Sequence, residues 1–180
     1  MSGASSNLLV RQATDVDVDA IASIYAVAVA TGTASWELTP PSRVEMHARL
    51  RGIVDGGYPY LVAVRDEQVQ GYAYASAFRS RPGYRHTIED SVYVAATAQG
   101  HGIGRTLLAA LIDLCAARDY RQMVAVIGGS ENVASIRLHA ALGFVEVGRL
   151  PSAGRKFGRW LDCIQMQRAL GAGAATPPHE

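Results

Sequence analysis

Residues Ser91–Cys115 read SVYVAATAQGHGIGRTLLAALIDLC, with Gly100, Gly102 and Gly104 packed between two apolar runs. The first run, from IEDSVYVAA, is short and rich in β-branched and aromatic residues, as a strand requires. In the second, Ile103, Leu107, Leu111 and Cys115 recur at i, i+4, i+8 and i+12 beside Leu108 and Ile112, one apolar face of a helix. The glycines therefore lie where a strand gives way to a helix. Two readings are open there: a tight turn with close helix–strand packing, or a backbone cradle for a phosphate. The second has a physical basis, because the first N–H groups of a helix lack internal partners and its dipole favours negative charge. The P-loop pattern fails, since no Lys-Ser or Lys-Thr follows the glycines, and the spacing does not fit the dinucleotide fingerprint G-x-G-x-x-G.

Outward from this junction the chain alternates elements. NLLVRQAT reads as a strand, followed by a helix in which Val18, Ile21, Tyr25 and Ala28 share a face and Asp15, Asp17 and Asp19 occupy the opening turn. PSRVEMHARLRGIVDGG reads as a second helix with a proline start and a glycine stop. YPYLVAVRDEQVQGYAYASAF predicts a hairpin turning at Asp66–Glu67. Beyond the glycine junction, MVAVIG is a fully apolar strand of the kind found centrally in a sheet. ENVASIRLHAALGF predicts a helix capped by Asn132 and stopped by Gly143. Strands around VEVGRL and WLDCIQMQRAL flank PSAGRKFGR, read as a loop. This order indicates an α/β or α+β domain with a mixed sheet.

Composition sets the limits. The chain has 180 residues, net charge +1 and 49% apolar residues, enough for one domain with its own core. No apolar run has the length of a membrane span, and MSGASSNLLVRQ does not have the form of a secretory signal. Balanced charge with no one-sided basic stripe argues against nucleic acid, and neither nucleic acid nor membrane is expected as a partner. Cys115 and Cys163 have no metal spacing and read as buried small hydrophobes of a cytoplasmic protein, with no metal expected. Residues 1–6 read as a flexible N-terminus and 171–180, GAGAATPPHE, as a disordered tail.

The pattern Gln99-x-x-Gly102-x-Gly104 after a strand and before an amphipathic helix resembles the acyl-CoA signature of the GNAT family of N-acetyltransferases, Q/R-x-x-G-x-G/A. NVASIRLHAALGF resembles that family's N-x-x-[AS]-x-x-[LF]-[YH]-x-x-x-G-F segment, and the resemblance covers about residues 7–170. TASWELTP, GYPYLVA, TIEDSVYV, AVIG, SIRLHAALGF and KFGRWLD are similar to the branch that acetylates phosphinothricin and methionine sulfoximine. The resemblance implies one acetyltransferase domain over 7–170, with a mixed, mostly antiparallel twisted sheet of about seven strands flanked by about four helices. It implies acetyl-CoA as co-substrate, set against Val92, Tyr93 and Val94. The pyrophosphate would lie at Gly100, His101, Gly102, Ile103, Gly104 and Arg105 after Gln99, with a further contact at Asn132. It also implies a homodimer and a small amino-acid acceptor.

For acetyl transfer the amine must lose a proton, and Glu89 is the candidate base, given partial burial. Pairing with Arg85 or His86 is the alternative use of that carboxylate. Asp90, adjacent on a strand, is expected on the opposite face. His139, facing the same way as Ser135, is the candidate proton donor to the leaving thiolate or a second base, and Tyr93 is the next candidate acid. An acceptor carboxylate suits a bidentate arginine, and among the basic residues of FRSRPGYRH, which include Arg81, the resemblance favours Arg79 for it, with Phe78, Trp36, Glu37 and Thr33 near the pocket.

Overall fold

The computed structural model describes residues 7–178. The expectation of a flexible N-terminus over 1–6 lies outside the described residues. The strands are β1 (Leu9–Gln12), β2 (Tyr60–Arg65), β3 (Gln68–Ala77), β4 (Thr87–Val94), β5 (Gln122–Gly128), β6 (Val145–Lys156) and β7 (Arg159–Ala169). The α-helices are α1 (Val18–Thr31), α2 (Arg43–Asp55), α3 (Ile103–Ala117) and α4 (Val133–Ala140). The strands form one sheet in the order β1-β2-β3-β4-β5-β7-β6, antiparallel except for the β4/β5 pair. This is the mixed, mostly antiparallel seven-stranded sheet with four helices that was expected.

Alternation along the strands divides the core between the two faces. Leu61, Ala63, Ala73, Ala75, Ile88, Met123, Ala125 and Ile127 pack with the Ile103, Leu107, Leu111 and Cys115 stripe of α3. Tyr60, Val62 and Tyr72 point the other way and pack against α1 and α2, through Val18, Ile21, Tyr25, Val29, Met46 and Leu50. In α1 the innermost position of the last turn is Val29, while Ala28 is half-buried. Both cysteines are free and buried.

Two local readings are corrected. Helix α2 does not start on a proline. Ser42 is its N-cap and forms a capping box with Glu45, the Ser42 N–H donating to the carboxylate at 2.7 Å. Pro40 and Pro41 precede the cap. The segment PSAGRKFGR is not a loop, because β6 runs through it to Lys156 and the turn is confined to Phe157 and Gly158. The loop-like residues Pro151 and Ser152 lie in an irregularity between Leu150 and Gly154, tolerated because β6 is an edge strand. The sequence signals a break there and cannot show that pairing resumes after it. Of the ending 171–180, expected as a disordered tail, residues 171–178 are described. The buried Arg121 guanidinium donates to the carbonyls of Gly173 and Thr176 at 3.3 Å and of Pro177 at 3.0 Å.

Candidate active site

The site follows from one register. β4 and β5 pair from Thr87↔Gln122 to Asp90↔Ala125 and no further, although β4 continues to Val94 and β5 to Gly128. On its other side β4 stays paired with β3 as far as Val94. The main chain of Ser91, Val92, Tyr93 and Val94 therefore lacks a strand partner on the β5 side. Four residues of strand at about 3.3 Å each make this opening about 13 Å long.

The opening leads to the glycine junction. Gly100 and Gly102 have φ of +79° and +78°, and Gly102 is the N-cap of α3. Left-handed residues on either side of His101, directly before a helix, turn backbone N–H groups toward one concavity, the geometry of an anion site at a helix N-terminus. Gly104 has ordinary helical φ and is not needed for the turn. A Cβ there would lie 3.4 Å from Leu138 and 3.5 Å from Val94. Its bare backbone instead keeps the groove between β4 and α4 wide. The three glycines thus differ: Gly100 and Gly102 meet a backbone requirement, Gly104 a spatial one. The groove, about 490 Å³, is bordered by Val92, Val94, Gln99, the 100–105 segment, Asn132 and Leu138. Asn132 caps α4 by accepting from the Ser135 N–H at 3.3 Å. Of the residues expected to hold the cofactor, Val92, Tyr93, Val94, Gln99, Gly100, Gly102, Ile103, Gly104, Arg105 and Asn132 border this groove, and His101 is exposed within the same loop.

At the head of the groove the two acidic residues of β4 separate. Glu89 pairs in register with Ser76 and Asp90 with Ala75, so they face opposite sides of the sheet. Glu89 is half-buried, and among the described residues its carboxylate makes no hydrogen bond or ion pair with Arg85 or His86. Burial, then the Asp90 charge, raises its pKa above the ordinary value. Tyr93 is on the same face, its ring edge-on to Tyr25 at 5.0 Å and stacked on Tyr72 at 5.2 Å. Burial, followed by neighbouring tyrosines, raises its pKa, so its hydroxyl keeps its proton.

Asp90 faces α4. Its Oδ2 lies 3.0 Å from His139 Nε2, while His139 Nδ1 lies 2.7 Å from the Ser135 carbonyl. Both side chains are almost fully buried. His139 borders a small cavity with Asp90, Ser91 and Ser135, and both of its ring nitrogens lie within hydrogen-bond distance of these neighbours. Asp90 was missed as a site residue. Alternation placed it on the other face, but nothing local links it to a histidine 49 residues away.

The residues expected around the acceptor fall into two groups. Thr33, Trp36 and Glu37 lie on the α1–α2 connection. Thr33 donates to the Gly128 carbonyl at 2.9 Å, and the Trp36 ring covers β6 so closely that a Cβ at Gly154 would fall 2.0 Å from it. Glu37 accepts from the Tyr25 hydroxyl at 3.0 Å and pairs with Arg49. Lys156 reaches the same connection, donating to the Ser35 carbonyl at 2.9 Å from a buried position. Phe78, Arg79 and Arg81 lie instead on the β3–β4 connection, where the Arg79 guanidinium stands over the rings of Phe78 and Tyr84 at 5.1 and 5.6 Å. Arg49, Tyr60, Tyr74 and Ser76 border a hollow of about 290 Å³ on the Glu89 face. Sequence reading did not single these out, because they are brought together by the sheet and α2 rather than by a motif. Among the described residues no group of three or more His, Cys, Asp or Glu could hold a metal, and no helix is long and apolar enough to cross a membrane.

Residues 10–165 match the family model described as an acetyltransferase (GNAT) domain. The chain is 54% identical over 169 residues to the phosphinothricin N-acetyltransferase of Alcaligenes faecalis, covering 94% of this chain and 86% of that one. It is 41% identical over 169 residues to the L-methionine sulfoximine/L-methionine sulfone acetyltransferase of Pseudomonas aeruginosa, covering 93% and 98%. The crystal structure of the phosphinothricin acetyltransferase of Sinorhizobium meliloti in complex with AcCoA superposes with a TM-score of 0.93 at 48% identity, over 96% of this chain and 94% of that one. The groove here has the features such a ligand needs: an unpaired strand edge for an extended amide-bearing arm, and a glycine nest at a helix N-terminus for a pyrophosphate.

Proposed function

The chain belongs to the GNAT acetyltransferase family, and from that premise we propose that it transfers the acetyl group of acetyl-CoA to the α-amine of a small amino acid or analogue of the phosphinothricin and methionine sulfoximine type. The observation that carries this reading is the parting of β4 from β5 after Asp90, opening onto the Gly100–Gly102 nest. We assign the catalytic domain to 7–170, acting as a homodimer in the cytoplasm. Exposed Val147, Leu150, Phe157 and Trp160 on β6, β7 and their turn support a second copy as partner.

Acetyl-CoA supplies the activated acyl group, and the chain supplies position, charge and a proton acceptor. Val92, Tyr93 and Val94 present main-chain groups along the opening, and N–H donors there stabilise negative charge developing on the acetyl oxygen. The residues from Gly100 to Arg105 take the pyrophosphate, with Gln99 and Asn132 on the rims. Glu89 takes the ammonium proton, directly or through water, and its raised pKa brings it nearer the range in which a carboxylate is an effective base. The amine nitrogen then bonds to the carbonyl carbon and gives up its second proton to solvent, the C–S bond breaks, and sulfur leaves with the electron pair. Tyr93, protonated and bordering the groove, is the side chain to return a proton to it. Transfer is direct, since both free cysteines are buried and burial raises the pKa of each, holding them as thiols rather than nucleophilic thiolates. Arg79 receives the acceptor carboxylate, with Arg81, Phe78, Thr33, Trp36 and Glu37 around the pocket.

Thiol release from acetyl-CoA across phosphinothricin, methionine sulfoximine, ordinary amino acids, polyamines and N-terminal peptides tests the reading. Turnover should be confined to amines bearing an α-carboxylate. Polyamine or peptide turnover alone would overturn the substrate class.

A further inference from the structure

We propose that Asp90 is a positioning residue for acetyl transfer, holding His139 as an imidazolium at the head of the cofactor groove. The inference rests on the transferase reading and adds to it a residue that neither the motif nor the resemblance supplied. The geometry assigns the protons. The Ser135 carbonyl, 2.7 Å from Nδ1, can only accept, so Nδ1 carries a hydrogen. Nε2 lies 3.0 Å from an Asp90 oxygen, and of that pair the imidazole is the more basic group in water. The ring therefore donates from both nitrogens. The edge of Phe144, 5.0 Å away at 90°, fixes its plane.

The setting is not that of an incidental ion pair. Both side chains are almost fully buried, and removing one charge from such a pair leaves the other uncompensated. Asp90 is the last residue of β4 paired with β5, so the contact ties α4 to the sheet where the opening begins. Asn132, Ser135 and Leu138 of α4 border the groove that this tie sets. The second Asp90 oxygen is buried with no partner among the described groups. A cavity of about 50 Å³ bordered by Asp90, Ser91, Asn132, Ser135 and His139 has room for a water molecule to serve it. Burial opposes a charge on His139, but the Asp90 hydrogen bond and charge, with the Ser135 carbonyl, outweigh it and raise its pKa. The other titratable neighbours are Cys115 on α3, which burial pushes up to about 12 and keeps neutral, and Glu89 on the opposite face. The Asp90–His139 pair carries no net charge and acts as a dipole fixed beside the opening, where negative charge builds as the thioester is attacked.

Two measurements decide it. Nitrogen-15 NMR of histidine-labelled protein at pH 7.5, with His139 assigned by its loss in His139→Asn, should show both ring nitrogens protonated. Asp90→Asn, which keeps the shape and removes the charge, should abolish that signature. It should lower kcat about 10²-fold while KM for acetyl-CoA stays within about threefold. A His139 ring with one unprotonated nitrogen in the active native enzyme overturns the inference. So does a folded Asp90→Asn protein with native kcat, which would reduce the pair to a structural tie. If Asp90→Asn does not fold, the native ring measurement decides the protonation, and kcat of His139→Asn, expected to fall by a similar factor, decides the catalytic half, a native kcat overturning it. A native protein that acetylates no amine overturns the proposed function, and with it the catalytic half of this inference, whatever the state of the ring.

Discussion

The two faces of β4 carry the same chemistry to different ends. Glu89 and Asp90 are adjacent carboxylates, yet among the described residues one faces the α1–α2 layer without an ion-pair partner and the other is locked to His139 beneath α4. Without an ion partner, burial pushes the Glu89 proton affinity up, the condition for a base. Asp90 meets a cation and becomes part of the scaffold. Residue type therefore says little about role at this site, and the layer packed against each face says a great deal. The same division separates the ligands. The α3–α4 face supplies the glycine nest and groove, while the α1–α2 face supplies Tyr93, Glu89 and the connections expected to receive the acceptor.

The sharpest way to break this comparison is Glu89→Gln. If Glu89 is the base, kcat/KM near neutrality should fall about 10²- to 10³-fold. The loss should shrink toward pH 9.5, where more of the amine is already free. A pH–rate profile parallel to the native one would remove Glu89 from the role. Stability should move the other way. Folding raises the proton affinity of Glu89, so the folded state binds more protons than the unfolded chain between the two pKa values. Its contribution is fully present below the ordinary glutamate value and is lost as pH rises through the raised one. Glu89→Gln removes the penalty of a buried charge, so Tm should rise above native at pH 8 and stay near native at pH 4.

How much of this was legible in the sequence divides along the same line. The cofactor face is built from contiguous residues. One strand, one glycine loop and one helix lie between Ser91 and Cys115, and periodicity with glycine spacing sufficed to read them. The apolar stripe of α3 is buried as the i, i+4 pattern predicted, and Asn132 caps α4. What sequence could not show is distant pairing. The β4–β5 separation depends on where two strands 35 residues apart stop bonding, and Asp90 meets His139 only after α4 crosses the sheet. The edge strand β6 hid behind Pro151 and Gly154 because a strand irregularity and a loop share the same residues. Arg121 donates to carbonyls of the glycine- and proline-rich ending, contacts formed 52 and more residues apart.

The acceptor half of the comparison is sharpened next by Arg79→Ala. The guanidinium now rests on Phe78 and Tyr84, and this stacking holds it ready without tying it to a carboxylate. A lost charge-assisted pair of about 1.5–3 kcal/mol predicts KM for a carboxylate-bearing acceptor about 10- to 100-fold higher. KM for acetyl-CoA should not change. If both constants rise together, the two ligand sites are not divided between the connections as proposed.

Smaller effects test the cofactor half. Gly102 sits at φ +78° as the cap of α3, so Gly102→Ala places an ordinary residue in left-handed backbone at a cost of about 1–2 kcal/mol. No atom lies within 4 Å of the added Cβ, so the penalty is conformational rather than steric. The predicted result is a lower Tm and a several-fold rise in KM for acetyl-CoA, with acceptor KM unchanged.

Gly104→Ala is the finer control and the smallest effect. Its backbone is already helical, and alanine in a helix is favoured over glycine by about 0.5–1 kcal/mol. The new methyl would meet Leu138 and Val94 at 3.4 and 3.5 Å, ordinary contact distances, on the wall of the groove. Tm should therefore hold or rise slightly while KM for acetyl-CoA rises about twofold, the opposite pairing of signs from Gly102→Ala. The contrast would separate a glycine needed for the turn from one needed for space, two residues apart in the same motif. If Gly104→Ala instead loses stability as Gly102→Ala does, the groove wall is packed more tightly than these distances allow, and the assignment of Gly104 to ligand space fails.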